Sequence, residues 1–99
     1  MRESKIEKHF KDEVQRIGGL SYKFVSPNNR GVSDQIAIWP DGKVSFVELK
    51  SPTGRRSALQ MEFENEVREL GHDYMTCFGI ADVNAFIRDV ERKMIYGWD

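Results

Sequence analysis

The sequence predicts a single α/β domain in which helices flank a mixed central sheet. Apolar residues at steps of three and four mark three helices, and short β-prone runs bounded by Gly, Pro and Asn mark four strands. Their order is helix, three strands, helix, strand, helix. The last strand–helix–strand unit requires a parallel pair of strands. With 99 residues, the whole chain 1–99 is expected to form one domain.

Composition limits the classes of protein that fit the chain. The 39% hydrophobic and 11% aromatic residues are enough for one core without disulfides or metal staples. No apolar run reaches the roughly 18 residues of a membrane span, and the N-terminus lacks a signal-peptide core. Cys77 is the only cysteine, which excludes an internal disulfide and favours a cytoplasmic setting. With a net charge of −1, any nucleic-acid contact must come from a local basic patch.

The first helix is predicted over residues 3–17. Its apolar stripe consists of Ile6, Phe10, Val14 and Ile17. Ser4 with Glu7 fits a capping box, and the Gly pair at 18–19 ends the helix. Glu7 lies at the flank of the stripe, where it could also pair with Lys11. The residues alone favour these structural roles for Glu7 over a chemical one.

Three short strands are predicted between the first helix and residue 50. Residues 20–25 alternate apolar and polar side chains, as a half-buried strand does. A loop by composition follows at 26–31. The runs 36–39 and 44–49 are β-prone and flank a Pro-Asp-Gly-Lys turn at 40–43. These two runs therefore predict a β-hairpin.

Two acids lie at adjacent ends of this hairpin. Asp34 precedes its first strand and Glu48 lies near the end of its second, so antiparallel pairing places them side by side. Glu48 and Lys50 share one face because side chains alternate along a strand, and Leu49 faces the other way. Two carboxylates and one ammonium can hold a divalent cation and a phosphate. As an alternative without any chemical role, Glu48 and Lys50 could form a solvated pair on an edge strand.

A basic loop follows the hairpin. Lys50, Arg55 and Arg56 place three positive charges and no acid in a short connection. Such a run is usually solvated surface, but its position beside the two acids favours contact with phosphates. Arg30, in the loop at 26–31, could also reach a phosphate. The candidate DNA-binding residues are therefore Arg30, Arg55 and Arg56.

The second half of the chain supplies a helix that crosses over to the last strand. Ser57 opens a second helix, and Gln60 three residues later can complete a capping box. Residues 74–78 predict a strand buried on both faces. Asp82 is expected to cap the last helix. The apolar tail at 94–98 either packs on the core or joins a subunit interface.

Taken together, four motifs resemble the PD-(D/E)xK nuclease superfamily: Glu7, Gly31-x-x-Asp34, Glu48-x-Lys50 and Gln60. More narrowly, Gly-Val-Ser-Asp at 31–34, Phe-Val-Glu-Leu-Lys-Ser at 46–51 and Gln60 resemble the VRR-NUC family. That family includes stand-alone phage nucleases and the C-terminal nuclease domain of the Fanconi-associated nuclease. The resemblance spans Glu7 to the strand at 74–78. A Val-Ser pair stands before the acid where the superfamily often has Pro.

The resemblance implies a restriction-endonuclease-like core, αβββαβα, and a role for each motif residue. Asp34 and Glu48 would ligate Mg²⁺ or Mn²⁺ together with the carbonyl of Leu49. Lys50 would be the catalytic lysine. Glu7 and Gln60 would be auxiliary catalytic residues, which reverses the interpretation of Glu7 from the residues alone.

The resemblance also implies a function. The protein would be a metal-dependent endonuclease that hydrolyses DNA phosphodiester bonds and leaves 5′-phosphate and 3′-hydroxyl ends. It would select branched DNA such as Holliday junctions, act as a homodimer in DNA repair, and work in the host cytoplasm if phage-encoded. The alternative is a catalytically inactive nucleic-acid-binding or assembly module of the same fold. The intact set of Asp34, Glu48 and Lys50 argues against that alternative.

Overall fold

A computed structural model of the chain describes residues 3–24 and 34–98. The elements are α1 (Glu3–Arg16), β1 (Leu20–Lys23), β2 (Gln35–Ile38), β3 (Val44–Lys50), α2 (Ala58–Glu69), β4 (Asp73–Phe78) and α3 (Ile80–Tyr96). This order confirms the predicted α/β architecture with a mixed sheet. None of the helices in the described ranges is long and apolar enough to cross a membrane.

The sheet has the strand order β1-β2-β3-β4. The first three strands pair antiparallel, and β3 pairs with β4 in parallel through the α2 crossover. The predicted hairpin is confirmed: the backbone N–H of Trp39 donates to the carbonyl of Lys43 at 2.9 Å, and Gly42 takes a positive φ of 86° in the turn. The register pairs Gln35 with Val47, which fixes the two ends of the hairpin relative to each other.

The helices cover the two faces of the sheet unequally. Helices α1 and α3 pack together on one face, where their apolar stripes meet the inward side chains of β2 and β3. That core consists mainly of Ile6, Phe10, Val14, Ala37, Val47, Leu49, Val83, Phe86, Ile87 and Val90. Helix α2 lies on the other face against β4, with Phe63 edge-on to both Phe46 and Tyr74. The β1–β2 end of this second face is left largely open.

That open end overturns the prediction that the first strand is half-buried. Strand β1 is shorter than predicted, and its apolar residues Leu20 and Tyr22 are 53% and 57% exposed. Leu20 pairs with Ile38, which is also exposed. The alternation of side chains is present, but α2 packs against β4 and does not reach the face that these residues occupy.

Two predicted caps are also wrong. Helix α1 already includes Glu3, so Ser4 lies inside the helix and is not its N-cap. Gly79 is the N-cap of α3, and Asp82 lies in the first turn, where its carboxylate accepts from the N–H of Phe78 at 2.8 Å. Gly79 is favoured there because it takes a φ of 87° and a Cβ would meet the ring of Pro52 at 3.0 Å.

Candidate active site

The hairpin places Asp34 and Glu48 at the same end of the sheet. Asp34 lies one residue before Gln35 and Glu48 one residue after its partner Val47, so the two acids face each other across the strands. The carboxylate of Asp34 accepts from the backbone N–H of Leu49 at 3.0 Å. The predicted juxtaposition of the acids is confirmed, whereas their role as metal ligands stays a prediction.

Negative charge accumulates around Asp34. The pKa of this carboxyl is raised from 3.8 to about 6, mainly by burial and also by the nearby charges of Glu48 and Glu7, while the hydrogen bond from Leu49 acts in the opposite direction. Near neutral pH, ionisation of a carboxyl with such a pKa lowers the stability of the folded state. A divalent cation beside Asp34 would offset that loss of stability.

Glu48 lies at the centre of a hydrogen-bonded cluster. Its side chain is 0% exposed, and it accepts from the hydroxyl of Tyr74 at 2.9 Å and from Arg56 Nη2 at 3.2 Å. Arg56 also pairs with Glu64 at 2.7 Å, and Arg68 pairs with Glu64 at the same distance. Burial and the charge of Glu48 raise the pKa of Tyr74, so its phenol stays a hydrogen-bond donor.

The three other predicted catalytic residues occupy different surroundings. Lys50 ends β3 on the same face as Glu48 and is half-buried. Glu7 lies 3.9 Å from Lys23, a pair that the sequence did not suggest. Gln60 completes the predicted capping box, because its side chain accepts from the N–H of Ser57 at 3.0 Å. An auxiliary catalytic role for Gln60 would therefore compete with its capping role.

The basic residues that were predicted to bind DNA also differ in exposure and in their ion pairs. Arg55 is exposed, as a phosphate contact requires. Arg56 is only 20% exposed and is held by two carboxylates, so any DNA contact would compete with those pairs. Arg30 lies outside the described residues, as do the motif residues Gly31 to Ser33.

Comparison with known proteins decides the family. No family model matches the chain. A protein named "Putative nuclease p44" from Acyrthosiphon pisum secondary endosymbiont phage 1 is 46% identical over 72 residues, 73% of this chain and 77% of that protein. A solved structure described as a "VRR_NUC domain" matches 87% of this chain and 94% of its own with a TM-score of 0.81 and 24% identity. The chain belongs to the VRR-NUC family of nucleases.

The two comparisons support different parts of this statement. At 24% identity, the structural match shows that this chain has the VRR-NUC fold, a restriction-endonuclease-like core. The phage relative, at 46% identity, supports the nuclease family itself. The resemblance drawn from the motifs at Asp34, Glu48 and Lys50 is therefore confirmed at the level of family and fold.

A divalent metal fits the pair of carboxylates at Asp34 and Glu48, with one complication. Among residues 3–24 and 34–98, no group of three or more His, Cys, Asp or Glu side chains is placed to hold a metal ion. Asp34 and Glu48 supply two carboxylates, and the carbonyl of Leu49 would add a third oxygen. Mg²⁺ and Mn²⁺ favour hard oxygen ligands, and Mg²⁺ commonly keeps several waters, so two carboxylates are sufficient. The complication is that Arg56 already neutralises Glu48.

A lysine-lined groove between α1, β1 and β2 was missed by sequence reasoning. It encloses about 360 Å³ and is lined by Ser4, Glu7, Lys8, Lys11, Ser21, Lys23 and Gln35. Lys8 pairs with Asp12 at 2.8 Å. Lys8 and Lys11 are three residues apart and so share a helix face beside Glu7, a spacing that could have drawn attention to this surface.

The raised pKa of Asp34 predicts how stability depends on pH in EDTA. Its folded pKa of about 6 exceeds the ordinary 3.8, so the native state binds this proton more tightly. Asp34 thus lowers stability as pH rises from about 4 to about 6. We therefore compare the free energy of unfolding of Asp34→Asn with that of wild type. This difference should rise by about 1 to 2 kcal/mol in favour of the variant from pH 4 to pH 7, allowing for solvent screening.

Urea unfolding of both proteins at each pH measures this difference. Asp12 provides a matched control, because its hydrogen bond to Lys8 lowers the pKa of its carboxyl. Because both the folded and the unfolded pKa of Asp12 lie below the range measured, the difference for Asp12→Asn should stay nearly constant from pH 4 to 7. A pH-independent difference for Asp34→Asn would show that its carboxyl titrates normally.

Proposed function

We propose that this protein is a metal-dependent endonuclease that hydrolyses DNA phosphodiester bonds with Mg²⁺ or Mn²⁺. The observation that carries the proposal is the placement of Asp34 opposite Glu48 at the end of the hairpin, with Lys50 on the face of Glu48. Family membership supports the reaction class, since the phage relative bears the name "Putative nuclease p44".

In this proposal, the residues divide the chemistry between them. Asp34 and Glu48 hold the cation, which would activate water and neutralise charge on the phosphate. Lys50 orients the attacking water and stabilises the charge that develops on the phosphate oxygens. Water oxygen bonds to phosphorus, the bond to the 3′ oxygen breaks, and that oxygen takes a proton. The products are a 5′-phosphate and a 3′-hydroxyl.

We further propose that the substrate is branched DNA and that the active species is a homodimer. Twofold symmetry would place two active sites on one four-way junction and so supply two cuts. The end of α3 provides an apolar surface for pairing, because Ile95 and Tyr96 are 72% and 81% exposed. Trp98, by contrast, docks on its own domain through Asp41 at 2.7 Å. Light scattering should give twice the monomer mass; a strict monomer that made paired cuts would contradict the dimer.

The second candidate function is a binding module without turnover. The contact between Arg56 and Glu48 favours it, because a partly buried arginine pairs with one of the two acids that the metal would need. Incubation of labelled junction, flap, splayed and linear DNA with Mg²⁺, Mn²⁺ or EDTA separates the two functions. We expect cleavage only with metal, and fastest on branched DNA. A binding module would retain each DNA without cutting it under any divalent ion.

The basic surfaces give a separate prediction for DNA binding. Arg55→Ala and Lys11→Ala should each lower the salt slope of binding by about one unit, because each removes one phosphate contact. Both side chains are exposed: Arg55 lies in the loop after β3, and Lys11 lines the groove that Glu7 also lines. Lys43→Ala is the matched control, since the exposed Lys43 lies at the opposite end of β3. Binding to a junction in EDTA at several salt concentrations measures the slopes; equal slopes for all four proteins would contradict this placement of the DNA.

A further inference from the structure

We propose that Arg56 is a built-in counterion of Glu48, and that a divalent cation entering the site displaces its guanidinium onto Glu64. Arg56 would then control metal affinity as a positioning residue rather than act as a phosphate contact. This inference rests on the metal site of the proposed function, and it assigns a regulatory contact that neither the motifs nor the relatives indicate.

The geometry of the cluster favours this exchange. Arg56 Nε and Nη2 donate to Glu48 at 3.3 and 3.2 Å, while Nη2 lies closer to Glu64, at 2.7 Å. The guanidinium also lies over the ring of Tyr74, 5.9 Å from its centroid. Glu64 and the ring would remain as partners when Glu48 is given up. Arg56 therefore already contacts Glu64, the carboxylate onto which it would move.

Arg56 moves in this proposal for two reasons: Glu48 is buried, and the entering cation repels the guanidinium. Glu48 is 0% exposed, and Arg56, at 20%, is the partly exposed charged group against it. A buried carboxylate is strongly destabilising without a partner, which explains why Arg56 stays on Glu48 when no cation is present. A dication and a guanidinium that share one carboxylate repel each other at such short range. The two cations therefore compete for Glu48.

Removal of the Arg56 guanidinium should tighten metal binding. In titration calorimetry with Mn²⁺ alone and no nucleic acid, Arg56→Gln is expected to bind Mn²⁺ about tenfold more tightly than wild type, a typical size for coupling between two bound groups. Arg55→Gln removes the same charge one residue away and should leave the affinity within about twofold. Unchanged or weaker Mn²⁺ binding by Arg56→Gln would overturn the inference.

Glu64 gives a test of opposite sign. Glu64→Gln removes the second position of Arg56, so the guanidinium stays on Glu48 and Mn²⁺ should bind several-fold more weakly. Glu62→Gln, a change of the same charge at an exposed position of α2, is the matched control. Equal affinities for the Glu64 and Glu62 variants would contradict an exchange between the two carboxylates.

Melting in EDTA tests the counterion without any metal. Arg56→Gln should melt at least about 5 °C below wild type, and Arg56→Lys should recover part of that loss because it restores the charge. In the Glu48→Gln background, Arg56→Gln should cost much less, since no buried carboxylate is left unpaired. Equal costs in both backgrounds would overturn the counterion role.

These measurements also separate the inference from the proposed function. Equal Mn²⁺ affinity of wild type and Arg56→Gln, together with metal-dependent cleavage, would refute only the displacement of Arg56. Failure of both proteins to bind Mn²⁺ would refute the metal site of the proposed function. The melting comparison would then still decide whether Arg56 is the counterion of Glu48.

Discussion

Asp34→Asn and Glu48→Gln are each expected to abolish cleavage of every DNA substrate. Both substitutions nearly preserve side-chain volume but remove ligand charge, so the cation would keep one carboxylate where the proposed site supplies two. Single-turnover cleavage of a junction in Mn²⁺ measures the loss, and circular dichroism checks that the fold is retained. Asp12→Asn, an exposed change on α1, should cut at the wild-type rate. A wild-type rate from either acid variant would refute the ligand assignment.

The two variants should differ in stability although both are inactive. In EDTA, Asp34→Asn relieves a buried charge beside other acids and should melt at or above the wild-type temperature. Glu48→Gln removes the carboxylate that pairs with Arg56 and Tyr74, so it should melt lower. Like-charge repulsion read from the sequence predicts stabilisation for either substitution. The structure restricts that prediction to Asp34.

Lys50→Ala should lose most turnover while it retains the metal. Removal of one positioned charged group typically costs about 10² to 10³ in rate, because its interaction with the developing charge is made in the transition state. Single-turnover rates at saturating DNA measure that loss, and calorimetry with Mn²⁺ checks the metal. Lys43→Ala, one residue before the other end of β3, is the control. If metal affinity disappeared together with turnover, Lys50 would be structural rather than catalytic.

Local sequence signals were sufficient for the hairpin and the order of elements. The turn at 40–43 and the flanking β-prone runs fix the pairing of β2 and β3, and that pairing alone brings Asp34 to Glu48. The capping box at Ser57 and Gln60 is equally local, because both partners lie within one helical turn. Each of these features depends on residues that are close in the chain.

The features that were missed depend on contacts between distant parts of the chain. The exposure of Leu20 follows from where α2 packs, which the strand pattern cannot show. The cluster around Arg56 and Glu48 also includes Tyr74 from β4 and Glu64 from α2, so the sequence showed only a run of positive charge. The cap at Gly79 likewise depends on the close approach of Pro52.

Single-turnover cleavage of a four-way junction most directly tests whether Asp34 and Glu48 form a metal-dependent nuclease site. The comparison needs wild type with Mn²⁺, wild type with EDTA, and Asp34→Asn with Mn²⁺. We predict product with a 5′-phosphate in the first reaction and none in the other two. Equal cleavage in all three reactions, or none by wild type with any divalent ion, would contradict the proposed site.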